Sequence, residues 1–151
     1  MPGILKFSEG ISISIRAMLY LLSEEDKLIS VKEIATILNV SEGHLAKVMQ
    51  QLAKEKLIDS VRGPKGGFKL KKSGKEIKLI EIYEIIEGPF QVKDCVFNPI
   101  CEGDCSLRKL VVSANEKFFN YFKNTTLEEL LDSTQCKNKF KEKQRNLIKI
   151  K

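Results

Sequence analysis

Residues 30 to 70 read SVKEIATILNVSEGHLAKVMQQLAKEKLIDSVRGPKGGFKL, and the fold turns on this stretch. Ser30 precedes Glu33 by three positions, the spacing of a capping box, in which hydroxyl and carboxylate each satisfy an exposed backbone donor at a helix start. A short helix running to Leu38 is predicted. Asn39 and Val40 interrupt it, and Ser41 caps a second helix whose apolar residues Leu45, Val48, Met49 and Leu52 recur at helical spacing. Beyond Lys56 the pattern changes. Leu57, Ile58 and Val61 lead into Arg62-Gly63-Pro64-Lys65-Gly66-Gly67, and Phe68 and Leu70 follow. Three glycines and a proline between two short apolar runs predict a hairpin. Helix, turn, helix and glycine-rich hairpin is the order of a winged helix-turn-helix domain, whose second paired helix enters the major groove of DNA.

With its apolar residues facing a core, that second helix presents Ser41, Glu42, Gly43, His44, Lys47 and Gln51 on the opposite face. Histidine, glutamine and lysine can hydrogen-bond base edges, and Ser41 with the helix N-terminus can hold a phosphate. A lone histidine also reads as a solvated surface residue, so the weight rests on its context. Arg62 and Lys65 sit at the hairpin tip, where a guanidinium suits a minor groove and an ammonium suits a phosphate. A nucleotide-cradling loop would need longer glycine spacing and a Lys followed by Ser or Thr opening a helix, whereas Phe68 and Leu70 continue a strand.

Upstream, Ile11, Ile15, Met18, Leu19 and Leu22 predict an amphipathic helix ending near Ser23. Downstream, Leu79 to Ile86 predict a short helix stopped by Gly88 and Pro89. A loop follows to about Asp104, and then Leu107, Leu110, Val111, Ala114, Phe118 and Tyr121 mark a longer amphipathic helix. Thr126 and Glu129 offer a second capping box for a final short helix, and from Ser133 no element is expected. The expected class is therefore mainly α, with a winged helix-turn-helix over residues 1–88 and a cysteine loop over 89–105. A dimerisation helix and short final helix span 106–132, and a flexible basic tail spans 133–151.

The net charge of +6 on 151 residues is unevenly spread. Residues 47–78 carry 10 basic and 3 acidic side chains, residues 79–132 carry 5 and 10, and residues 133–151 carry 7 and 1. A concentrated basic segment suits a polyanion, although a solvated lysine face would look the same by charge alone. No stretch approaches the roughly 18 consecutive apolar residues of a membrane span, so a cytoplasmic protein is expected. No Ser/His/Asp set, paired carboxylates or Cys-x-x-Cys pattern points to an enzyme.

Cys95, Cys101 and Cys105 fall within eleven residues, in a loop holding Pro99 and Gly103. In a reducing compartment clustered thiols more often bind metal or sense redox state than form stable disulfides. Soft thiolates suit an iron-sulfur cluster or zinc, and a thiol switch is the further alternative. Cys136 stands apart in the basic tail and reads as a spare thiol.

Lys6-Phe7-Ser8-Glu9, Ser41-Glu42-Gly43-His44-Leu45, the Ser60 to Phe68 wing and Ile86-Glu87-Gly88-Pro89 together resemble the Rrf-two family of winged-helix transcription regulators, the IscR/NsrR/CymR-like group. The similarity covers about residues 5–132. It implies a homodimer on palindromic double-stranded operator DNA, joined through the long helix after the cysteine loop. It also implies a regulator, in the repressor sense, that senses iron, nitric oxide or redox state through an iron-sulfur cluster on Cys95, Cys101 and Cys105. A two-iron and a four-iron cluster are equally compatible with the three thiols. No histidine follows Cys105, so the fourth ligand suggested by the resemblance is Glu9 from the partner subunit. Read as a residue alone, Glu9 is equally a helix-start carboxylate favoured by the helix dipole. The alternative within the family is a cofactor-free, CymR-like regulator controlled by a protein partner or by thiol oxidation.

Overall fold

The structure is a computed structural model that describes residues 6–91 and 105–150. Its elements in chain order are α1 (Glu9–Ser23), α2 (Val31–Leu38), α3 (Glu42–Lys54), β1 (Ile58–Val61), β2 (Gly67–Leu70), α4 (Leu79–Glu87), α5 (Ser106–Asn124), α6 (Leu127–Ser133) and α7 (Cys136–Ile150). This is a mainly helical winged helix-turn-helix with a small antiparallel sheet.

Helix α1 is the centre of the packing. The sequence pattern predicts one apolar stripe, yet Ile13, Ser14, Ala17, Tyr20 and Leu21 are buried as well as Ile11, Met18, Leu19 and Leu22. The reason is that α2, α3 and α4 pack against the helix, and so do α6 and α7 from the C-terminal region. Ser14 is tolerated inside because its hydroxyl donates to the Ile11 carbonyl at 2.9 Å. The start of α1 is capped by Ser8, whose hydroxyl accepts from the Ile11 amide at 3.2 Å.

Ser30 caps α2 as expected, accepting from the Glu33 amide at 3.2 Å. The reciprocal half of the expected box is replaced, because the Glu33 carboxylate accepts from the Tyr20 hydroxyl at 2.9 Å. Asn39 closes α2 in the left-handed region at φ 55°, a conformation that asparagine tolerates better than most residues. The Arg16 guanidinium donates to the Leu38 carbonyl at 3.2 Å, tying the end of α2 to α1. Leu45, Val48, Met49 and Leu52 of α3 are all buried, as their spacing predicts.

In the wing, Ile58 pairs with Leu70 and Val61 with Gly67. Ile29 adds a one-residue third strand, exchanging backbone hydrogen bonds with Phe68 at 2.9 and 2.8 Å. A Cβ on Gly67 would lie 2.5 Å from the Ile29 carbonyl oxygen, so this glycine is required by close backbone approach.

On the far side, Leu127 donates to the Ile77 carbonyl and Leu79 to that of Thr125, stitching the start of α6 to the start of α4. Thr126 and Glu129 form the expected capping box, and the Thr126 amide and hydroxyl hold the Glu129 carboxyl below its usual range.

The expectation of a tail without regular structure is overturned by α7. Phe140 is buried edge-on against Tyr20 with ring centroids 5.2 Å apart. Gln144 donates to the Tyr20 hydroxyl at 2.7 Å, and the Lys143 ammonium donates to the Ile37 carbonyl at 2.8 Å. Burial holds the Tyr20 phenol well above its ordinary range, and it serves as a neutral donor to Glu33. Cys136, read as a spare thiol in a tail, begins this helix and is half-buried against the core.

Two substitutions test this packing. Phe140→Ala should cost about 3–5 kcal/mol in urea unfolding of the full chain, because it empties the α1–α7 contact. Gly67→Ala should cost about 1–3 kcal/mol by overpacking against Ile29. A Phe140→Ala protein with an unshifted midpoint would contradict the docking of α7.

Candidate nucleic-acid interface and sensor loop

The candidate interface begins at the α2–α3 turn. Ser41, the N-cap of α3, accepts from the His44 amide at 3.3 Å, so one of the orphan donors at this end is satisfied locally. The remaining first-turn amides form a positive pole suited to a phosphate. Ser41, Glu42, Lys47 and Gln51 are exposed and His44 is half-exposed, all on the side of α3 opposite its buried stripe. The geometry also exposes Gln50 and Lys54 beside them. Lys47, Gln50, Gln51 and Lys54 follow i, i+3, i+4, i+7 spacing, so helical arithmetic from Lys47 alone could have found the two omitted residues.

Arg62 and Lys65 are exposed at the wing tip, where Gly63 takes φ 115° and its carbonyl accepts from Gly66 at 2.9 Å. Among the described residues, Lys47, Arg62 and Lys65 have no carboxylate partner within ion-pair distance. Lys71 and Lys72 at the base of the wing are partly neutralised, lying 3.8 Å from Asp59 and 3.6 Å from Glu81. Among the described residues, the uncompensated charge of the basic segment therefore includes α3 and the wing tip.

The N-terminus of α1 lies against this surface. The Glu9 carboxylate is 3.7 Å from His44 Nδ1, and Ser8 donates to the Glu87 carboxylate at the end of α4. A groove of about 600 Å³ runs between these ends and is lined by Ser8, His44, Lys47, Gln51 and Glu87, among others. A second cavity of about 540 Å³ lies on the other side of Ser8, walled by Phe7, Tyr83, Phe90 and Phe118. Phe7 is half-exposed, and its ring centroid lies 5.6 Å from that of Phe118 in α5.

Cys95 and Cys101 lie outside the described residues. Cys105 is the N-cap of α5 and is half-buried. Glu9 begins α1 with three quarters of its side chain exposed, and its near neighbour is His44 of its own chain. Among the described residues no three His, Cys, Asp or Glu side chains converge in a metal-binding group. The donor set as chemistry, three thiols and one accessible carboxylate, fits an iron-sulfur centre. Helix α5 carries the expected apolar stripe, with Leu107, Leu110 and Tyr121 exposed and Phe122 buried.

A helix-turn-helix followed by a wing, with unpaired cations on the second helix and the wing tip, defines a winged-helix DNA-binding protein. Known proteins bear the same stamp. The Rrf2 family model, described as an iron-dependent transcriptional regulator, matches residues 7–133. The HTH-type transcriptional regulator NsrR of Halalkalibacterium halodurans is 34% identical over 127 residues, covering 78% of this chain and 84% of that protein. Among solved structures, CymR, the global cysteine regulator of B. subtilis, is similar at TM-score 0.75 and 26% identity over 87% of this chain and 100% of that one. IscR of T. potens is similar at TM-score 0.66 and 27% identity, over 85% of this chain and 88% of that one. The chain belongs to the Rrf2 family. It is a DNA-binding transcription regulator, and its relatives are regulators rather than enzymes. Among the described residues, no helix is long and apolar enough to cross a membrane.

Lys47→Ala and Arg62→Ala should each weaken duplex binding and make its salt dependence shallower, by about 0.9 in log–log slope for each phosphate left unneutralised. Anisotropy titrations across a salt series measure this, and unchanged slopes in both variants would move the interface elsewhere.

Proposed function

We propose that this chain is a cytoplasmic, homodimeric repressor that reports iron, nitric oxide or redox state through an iron-sulfur cluster to its recognition helix. Cys95, Cys101 and Cys105 would hold the cluster, with Glu9 of the partner subunit as the fourth ligand. When bound, such a cluster supplies a centre that is lost or altered by iron limitation, nitric oxide or oxidation. The observation that supports the reading is the 3.7 Å approach of Glu9, the candidate non-cysteine ligand, to His44 on α3, the helix proposed to read DNA. The rest follows from this chain's own side chains. Glu9 offers His44 an acceptor, and movement of that carboxylate changes where the imidazole can hydrogen-bond at the DNA face. The Ser8–Glu87 hydrogen bond joins the same helix start to the end of α4, the helix that precedes the cysteine loop in the sequence. Displacement at the loop and at the recognition helix thus share one mechanical element, the first turn of α1.

Dimerisation through α5 is supported by the solvent-facing Leu107, Leu110 and Tyr121, apolar surface that the described residues leave uncovered. On DNA, Ser41 and the start of α3 would hold phosphate, with Glu42, His44, Lys47 and Gln51 facing base edges. Arg62 and Lys65 would reach the flanking groove and backbone.

A second reading, a cofactor-free regulator controlled by a protein partner or thiol oxidation, is favoured by a structural likeness. The chain superposes better on B. subtilis CymR than on T. potens IscR, and a Staphylococcus aureus CymR structure of an oxidised form is similar at TM-score 0.70.

Anaerobic reconstitution of the full chain separates the two readings. Cluster sensing predicts visible absorbance with stoichiometric iron and sulfide, abolished in the Cys95→Ala, Cys101→Ala, Cys105→Ala triple variant. A colourless, iron-free protein that still selects a palindromic operator from a random duplex pool would establish the second reading instead.

A further inference from the structure

Helix α7 lies beyond residues 7–133, the part matched by the family, so the shared fold does not account for it. Its 15 residues hold six basic side chains and one carboxylate. Phe140, Gln144 and Leu147 face the body of the protein, while Lys137, Lys141, Arg145 and Lys149 are exposed. These four cations stand four residues apart, so they form one ridge along the helix with a repeat of about 6 Å. Among the described residues none of them pairs with a carboxylate. Like charges at this spacing repel one another, and a linear polyanion laid along the ridge relieves that repulsion.

The ridge is held in a fixed place. Lys143 donates to the carbonyl of Ile37 near the end of α2, and Gln144 joins Tyr20, whose hydroxyl reaches Glu33 in the first turn of α2. In helix-turn-helix proteins the first helix of the pair crosses the DNA backbone. The anchoring hydrogen bonds therefore attach a row of cations, unpaired among the described residues, to the helix that in such proteins crosses the backbone.

We infer that α7 is an accessory phosphate-binding helix that extends the DNA-binding surface beyond the recognition helix and wing. This rests on the DNA-binding reading of α3 and the wing. Phosphate contacts carry no sequence information, so α7 adds affinity and salt sensitivity without changing which duplexes are preferred.

The test uses the full-length protein and a random-sequence duplex, with Lys137, Lys141, Arg145 and Lys149 replaced together by Gln, a residue that keeps helix propensity. Circular dichroism and urea unfolding verify that α7 stays docked. If the fourfold variant loses stability, Lys141→Gln with Arg145→Gln replaces it. The expected result is weaker binding and a log–log salt slope shallower by about 0.9 for each phosphate that α7 no longer neutralises, with unchanged ranking of selected duplexes. A folded variant with wild-type affinity and slope overturns the inference, as does one that changes sequence ranking with an unchanged slope. Lys47→Ala measured on the same duplex separates the two layers. If Lys47→Ala weakens binding and the α7 variant does not, the DNA reading stands and the ridge is solvated or faces an acidic protein. If neither weakens binding, the DNA reading itself fails.

Discussion

Burial of α1 on all sides is the constraint on which the rest of the structure depends. A helix with Ile13, Ala17, Met18 and Tyr20 sealed from water cannot exist alone, so it forces α2, α3, α4, α6 and α7 to gather round it. Tyr20 marks the point where this packing acquires direction. Its ring meets Phe140 while its hydroxyl bridges Gln144 and Glu33, so the helix-turn-helix and the C-terminal helix share one part-buried polar contact. A buried hydroxyl left without partners would be costly, which is why this contact fixes the placement of α7 rather than merely covering apolar surface.

The same helix carries opposite demands along its length. Its middle is held by packing, whereas Ser8 and Glu9 at its start are exposed and polar, Ser8 reaching Glu87 and Glu9 reaching His44. Exposed pairs of this kind contribute little to stability, and a small change in their surroundings rearranges them. That combination suits an element that must stay in place yet alter the surface of its neighbour. The cavity beside it has aromatic walls, Phe7, Tyr83, Phe90 and Phe118, together with polar Lys6, Ser8, Glu87 and Asn115, and α5 adjoins it with Leu107, Leu110 and Tyr121 exposed among the described residues.

Much of this is legible in the residues. Ser30, Ser41 and Thr126 announce three helix starts because capping needs a side-chain oxygen at a fixed offset, and Gly66 and Gly67 of the wing announce a backbone too close to its neighbour to admit a Cβ. The exposed face of α3 follows from its buried one. What is not legible depends on partners distant in sequence. The spacing of Ser30 and Glu33 points to a local cap, but a tyrosine thirteen residues before Glu33 claims its carboxylate. Helix α7 carries lysine at every second position from 137 to 143, which masks the Phe140, Gln144 and Leu147 face that docks it. Nothing in that stretch reveals that Tyr20 waits on the other side. The proximity of Glu9 to His44 is equally invisible, since it arises from the packing of α3 against α1.

Helix α3 and the wing together are proposed to form the face that meets a duplex, and hydrogen exchange of the full-length protein, free and saturated with a selected duplex, tests this most directly. Slowed exchange is expected in the first turns of α3 and around the Arg62 to Gly66 tip, with the middle of α1 equally protected in both states. Protection confined to other segments, with α3 and the wing tip exchanging as in the free protein, would contradict it.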